Sequence, residues 1–146
     1  MSLKQLLSDS RIKAEATSKT EIDELRRMTD SNLSDAQVTG LSAQGKFEFA
    51  YNAGRHIATM VIRACGYRVS SKMGHHYYTF EALSAADAQF DAIADYFNQC
   101  REKRNDFSYD SPVVVTDTEA DDILTNALKF RSDFEKWLKS KHPGLV

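Results

Sequence analysis

Only two prolines occur in the chain, Pro112 and Pro143, and both lie outside its periodic apolar runs. Nothing before Pro112 therefore interrupts a helix as a proline ring would, and long helices are allowed. The clearest run extends from Leu41 to Cys65. Phe47, Ala50, Tyr51, Gly54, Ile57, Ala58, Val61, Ile62 and Cys65 recur at gaps of three and four and define one helical face. Gly66 ends it at the usual C-terminal glycine position. Upstream, residues 2 to 9 read as a weak helix on Leu3, Leu6 and Leu7. A second helix carries Ile22, Leu25 and Met28, with Thr20 as its candidate cap and Glu21 to Glu24 supplying acid to its first turn.

Downstream, "GYRVSSKMG" reads as loop and "HHYYTFEAL" as a short helix over 75–84. Ser84 or Asp87 opens a further helix whose stripe runs Phe90, Ile93, Ala94, Phe97 and Cys100 and continues to Arg104. Pro112 disfavours helix at Ser111, and Val113 to Val115 are too few to make a sheet alone. Thr116 or Thr118 caps a last helix with Ile123, Ala127, Phe130, Phe134, Trp137 and Leu138 on its core side; His142-Pro143-Gly144 ends it. Four substantial helices and one or two short ones predict an all-α, antiparallel helical bundle. A chain of 146 residues suggests one domain, with N-terminal helices over 1–40 and the core over 41–140.

Apolar residues make up 42% and charged ones 27%, so a soluble globular chain is expected. A net charge of −2 excludes a wholly basic surface and confines any nucleic-acid contact to a local patch. Two cysteines, Cys65 and Cys100, do not make a disulfide framework, and a reduced compartment fits them better. The N-terminal residues lack the long apolar stretch of a signal peptide, and no run reaches the roughly 20 residues of a membrane span. A cytoplasmic protein that does not engage membranes is the expectation.

The stretch "REKRNDFSYD", residues 101–110, carries the chemistry. Arg104 lies seven residues after Phe97 and four after Cys100, on the stripe that points inward. An arginine there needs water at the bundle end or an anionic partner, either an internal carboxylate or a ligand phosphate. Its planar fork suits phosphate because it donates two hydrogen bonds at once. Arg101, Lys103 and Arg104 form a local positive cluster near a helix C-terminus. The helix dipole favours cations there, and such a cluster needs no function to explain it.

"FEFAYNAGRHIATMVIRACGYR", "GHHYYTFEAL" and "REKRNDFSYD", in this order and spacing, resemble the long second helix, the short histidine-bearing segment and the signature helix end of HEPN domains. The resemblance spans roughly residues 41 to 138. It implies a bundle of four or five helices, often a homodimer whose signature arginines face a shared cleft. HEPN proteins include metal-independent ribonuclease toxins paired with antitoxins. Others bind RNA or nucleotides, or assist a nucleotidyltransferase partner. The catalytic family motif places a histidine four to six residues after the arginine. Here Tyr109 follows Arg104 at the four-residue gap, and residues 109 to 111 hold no histidine. Histidine titrates near neutrality, whereas tyrosine, with a pKa of about 10, is a poor base.

On this resemblance Arg104 binds phosphate, Asn105 orients a phosphate or sugar oxygen, and Tyr109 stacks on a base or bonds the ribose. Asp110 positions Arg101 or Arg104, and His75 or His76 packs near the signature as a substitute base. His75 and His76 are adjacent and point about 100° apart on a helix, so they do not chelate one metal ion. No metal or other cofactor is expected. Tyr51, Tyr77, Tyr78 and Phe80 make either a stacking platform or core, and Gly54 allows close helix packing. Three functions stay open. The first is a non-catalytic HEPN-like module holding RNA, a nucleotide or a partner protein in an Arg/Asn/Tyr cleft. The second is a HEPN ribonuclease, and the third is a structural helical dimer.

Overall fold

The longest periodic run becomes the central element. In the computed structural model, which describes residues 1–107 and 114–146 (the backbone alone at 107), helix α3 covers Ala43–Ala64. Ser42 caps it, its hydroxyl accepting from the Gly45 amide at 3.0 Å. Around it stand α1 (Leu3–Ser8), α2 (Lys19–Asp35), α4 (His75–Ala86), α5 (Asp91–Phe107) and α6 (Asp117–Lys141). Helix α3 packs against α2, α4, α5 and α6, which explains why thirteen of its 22 residues are buried. The protein is mostly helical, as its periodicity predicts. Tyr109, Asp110, Pro112 and Val113 lie outside the described residues; Val114 and Val115 form no strand.

Two local readings need correction. Tyr67–Val69 is not loop but strand β2, paired antiparallel with β1, Ile12–Ala14, in the register Ile12↔Val69, Lys13↔Arg68, Ala14↔Tyr67. Three-residue strands so far apart in sequence carry no periodicity of their own. Pairing supplies what each lacks alone. Helix α2 is capped by Ser18 rather than Thr20, its hydroxyl accepting from the Glu21 amide at 3.2 Å. Asp87, one of two candidate starts, opens a short 3₁₀ turn, Ala88–Phe90, ahead of α5.

One core holds Ile22 and Leu33 from α2 and Ala36 just after it, together with the buried faces of α3, α4, α5 and α6. A smaller cluster of Leu6, Ile12, Ile62 and Ala82 seats α1 and the β-ribbon on α3 and α4. Gly54 meets the expectation of close packing. A Cβ built there would sit 2.2 Å from the Phe97 ring, so α5 approaches α3 only because the side chain is absent.

Helix α6 starts with a capping box. Thr116 accepts from the Glu119 amide at 3.1 Å, and the Glu119 carboxylate accepts from the Thr116 amide at 3.0 Å. Thr116→Ala is therefore expected to cost about 0.5–2 kcal/mol. Urea unfolding measures it; an unchanged midpoint would show that the cap contributes nothing.

Candidate functional site

Three helices bring the candidate residues together. On α3, Glu48, Tyr51 and Arg55 follow one another at steps of three and four, so they share a stripe. On α5, Arg104 and Asn105 stand three and four residues after Arg101, so each neighbours it on the helix surface. Helix α4 is launched by Gly74 at φ 69°, a left-handed backbone that glycine adopts without strain, which puts His75 and His76 in its first turn.

The Tyr51 hydroxyl lies 3.0 Å from Nδ1 of His76. Tyr51 is fully buried, and burial pushes its pKa up to about 12, so it keeps its proton. His76 is pushed down to about 4, first by burial and then by the nearby charges of Arg55 and Arg104. Both groups are thus neutral at neutral pH. With the hydroxyl donating to Nδ1, the ring proton sits on Nε2 and remains available to donate. His75 is lowered by burial and by Arg55.

Arg104 lies over the Tyr51 ring, its guanidinium carbon 5.3 Å from the centroid, and its Nε donates to Glu48 at 3.0 Å. The internal carboxylate that the inward stripe called for is therefore Glu48. Arg101 lies over Tyr77 at 5.4 Å and donates to the Asn98 side chain at 2.9 Å. Its nearest carboxylate among the described residues, Glu102, is 3.7 Å away. Glu81 adds negative charge beside Tyr77, raising that phenol's pKa. Lys72, Gly74, His75, His76, Tyr77, Arg101 and Asn105 line an open depression of about 320 Å³.

Arg101, Arg104, Asn105, His75 and His76 are thus brought near one another. Lys103 is not. It turns to the other side of α5 and pairs with Glu119 of α6. Tyr109 and Asp110 lie outside the described residues. Tyr51 and Phe80 are core rather than an exposed stacking platform, and Tyr77 and Tyr78 are half-buried. Sequence reasoning missed Glu48, Arg55 and Lys72. The Glu48–Tyr51–Arg55 spacing was its available signal, hidden because Arg55 sits in a run read as apolar.

The charge balance favours an anion. Among the described residues neither Lys72 nor Arg55 has an ion pair, and α4 begins without a side-chain cap, so its first-turn N–H groups add positive potential. Proton abstraction is poorly served. A general base works best with a pKa near the operating pH, and neither His76 at about 4 nor Tyr51 at about 12 meets that. Burial raises the thiols of Cys65 and Cys100, the latter to about 12, away from a nucleophilic thiolate. Among the described residues no three His, Cys, Asp or Glu side chains gather as a metal site. Among the described residues no helix is long and apolar enough to cross a membrane.

No protein-family model matches the chain, and no curated protein or solved structure is significantly similar to it.

Proposed function

We propose that the α3–α4–α5 cleft binds phosphate groups of RNA or of a nucleotide, as a HEPN-like module that holds its ligand without cleaving it. The observation that carries this reading is the set of cations Lys72, Arg55, Arg101 and Arg104 around two neutral imidazoles, with Glu48 neutralising only Arg104. A phosphate placed over Arg101 would meet a guanidinium fork, the Lys72 ammonium and imidazole donors. Asn105 lies at the same rim and can bond a phosphate or sugar oxygen. Tyr77, half-buried beside Arg101, offers a ring face to a base. The HEPN resemblance supports the same reading and adds a homodimer whose arginines line a shared cleft. A nucleotidyltransferase or antitoxin partner belongs to that picture too. The ribonuclease alternative is weakened by Tyr109 in the histidine position and by the pKa of His76.

Fluorescence anisotropy with a labelled single-stranded RNA and a labelled adenine nucleotide tests this. Affinity is expected to fall with salt, and Arg101→Gln and Lys72→Gln are each expected to reduce the slope of log K against log salt by about 0.7. Lys103→Gln, on the other side of α5, should bind as wild type. Equal binding by all four proteins would remove the cleft from consideration. Metal-independent cleavage of the RNA, lost in Arg104→Ala, would establish the ribonuclease instead.

A further inference from the structure

We propose that a second pocket, between α2, α3, α4 and β2, binds a small carboxylate with an aliphatic or aromatic tail, held by Arg55 and His56. Leu25, Met28, Ile62 and Val69 supply its apolar walls, and its volume is about 210 Å³. One buried donor there has no acceptor among the described residues, and an imidazole beside it bonds to none of them. The Arg55 Nε is buried and has no acceptor. His56 is only 8% exposed, yet its ring makes no hydrogen bond. A neutral imidazole carries one donor and one acceptor, and buried polar groups in native proteins nearly always find partners. The buried Arg55 Nε, with the His56 ring beside it on the same cavity, indicates that something else completes it.

The charge narrows the ligand. Arg63 and Arg68 also line the pocket, but both are bound to Glu15 and Glu21. Arg55 alone among the lining arginines has no carboxylate, which matches a single negative charge. The volume lies below the ~300–1,000 Å³ of drug-sized sites, so the ligand is small. Inorganic phosphate would leave four apolar side chains facing a hydrated ion. A carboxylate with a short tail covers them and gives Arg55 a planar acceptor. Arg55 adds its charge to the phosphate cleft and His75 lines both spaces, but Arg55 lines only this pocket, whose apolar walls come from α2, α3 and β2.

Calorimetric titration with isovalerate and with benzoate tests the proposal, beside acetate, inorganic phosphate and uncharged isoamyl alcohol. At least one tailed acid is expected to saturate the wild type at millimolar concentration or below. Acetate and the alcohol should bind at least tenfold more weakly. Arg55→Leu removes an unpaired charge and should fold, as its melting curve will show, while losing at least tenfold in affinity. Thr59→Phe keeps Arg55 but fills the cavity, and should abolish the response even if the arginine variant fails to fold. Failure of both acids to saturate the wild type would overturn the assignment, as would equal binding of an acid to wild type and Thr59→Phe.

Discussion

Phe97→Ala is expected to lower the free energy of unfolding by about 3–5 kcal/mol, the range for deleting a large ring from a core that cannot collapse. Phe97 has no exposed surface. It stacks on Phe80 at 6.0 Å and 17°, tilts against Phe130 at 6.1 Å, and lies over Gly54 of α3. It thus joins α5 to α3, α4 and α6 at one point. Gly54→Ala approaches the same contact from the opposite side. The added methyl must displace ring atoms that a Cβ would meet at 2.2, 2.4 and 2.7 Å, an overpacking cost of about 1–3 kcal/mol that exceeds the helix propensity gained. The two substitutions are therefore not additive. In the double variant the methyl at 54 occupies part of the space the ring vacates, so the combined loss falls below the sum of the single losses. Chemical denaturation of the three variants measures this; simple additivity would mean the helices shift apart freely and the contact does not set their spacing.

Arg63→Met is expected to cost about 3 kcal/mol and to flatten the acid dependence of stability. Arg63 is 3% exposed. Its Nε donates to Glu21 at 2.6 Å, and its Nη atoms reach the Glu15, Ala16 and Tyr67 carbonyls at 3.0–3.1 Å. It is the latch between the end of α3, the β-ribbon and the start of α2. Losing one partner of a buried pair costs ~3–5 kcal/mol, and the low end applies because the carboxylates keep access to water. The hydrogen bond from Arg63 holds the Glu21 carboxyl below its usual range, and Arg68 does the same for Glu15. A lowered carboxyl pKa stabilises the fold above the ordinary glutamate pKa, about 4.3. That stability is lost as the pH falls through the folded value. His56 and His76, each brought to about 4 chiefly by burial, act from a higher pH. Below about 6.5 the unfolded chain takes up protons that the folded rings refuse, so stability declines there as well. That histidine loss is common to both proteins. The difference between their urea midpoints should therefore hold from pH 7 to about 5 and narrow below 4. A difference independent of pH would show that Arg63 acts through its carbonyl contacts alone.

Helix content and most of the core could be read directly along the chain. The Leu41–Cys65 stripe, the Phe90-to-Cys100 stripe and the Ile123-to-Leu138 stripe bury the residues their spacing selects, with Cys65 and Ile93 only half-buried, because a 3.6-residue period is a local property. The cap, narrowed to Thr116 or Thr118, and the His142 stop were legible for the same reason: each is satisfied within one turn of its own helix. The β-ribbon was not. Ile12–Ala14 and Tyr67–Val69 are strands only because α1 and α3 bring them side by side.

The candidate site divides along the same line. That Arg104 lies on an inward stripe and needs either water at the bundle end or an anionic partner followed from spacing and from the cost of burying a guanidinium. That Glu48 is this partner, that Lys103 serves Glu119 instead, and that His76 meets Tyr51 depended on how α3, α4, α5 and α6 approach one another. Arg55 and His56 carry the point furthest. In sequence they are two polar residues in an apolar helix, and nothing local says whether they are satisfied. Helices α2 and α4 with β2 wall in the cavity beside them, and hydrogen-bond satisfaction is a property of everything within reach of an atom, not of its neighbours along the chain.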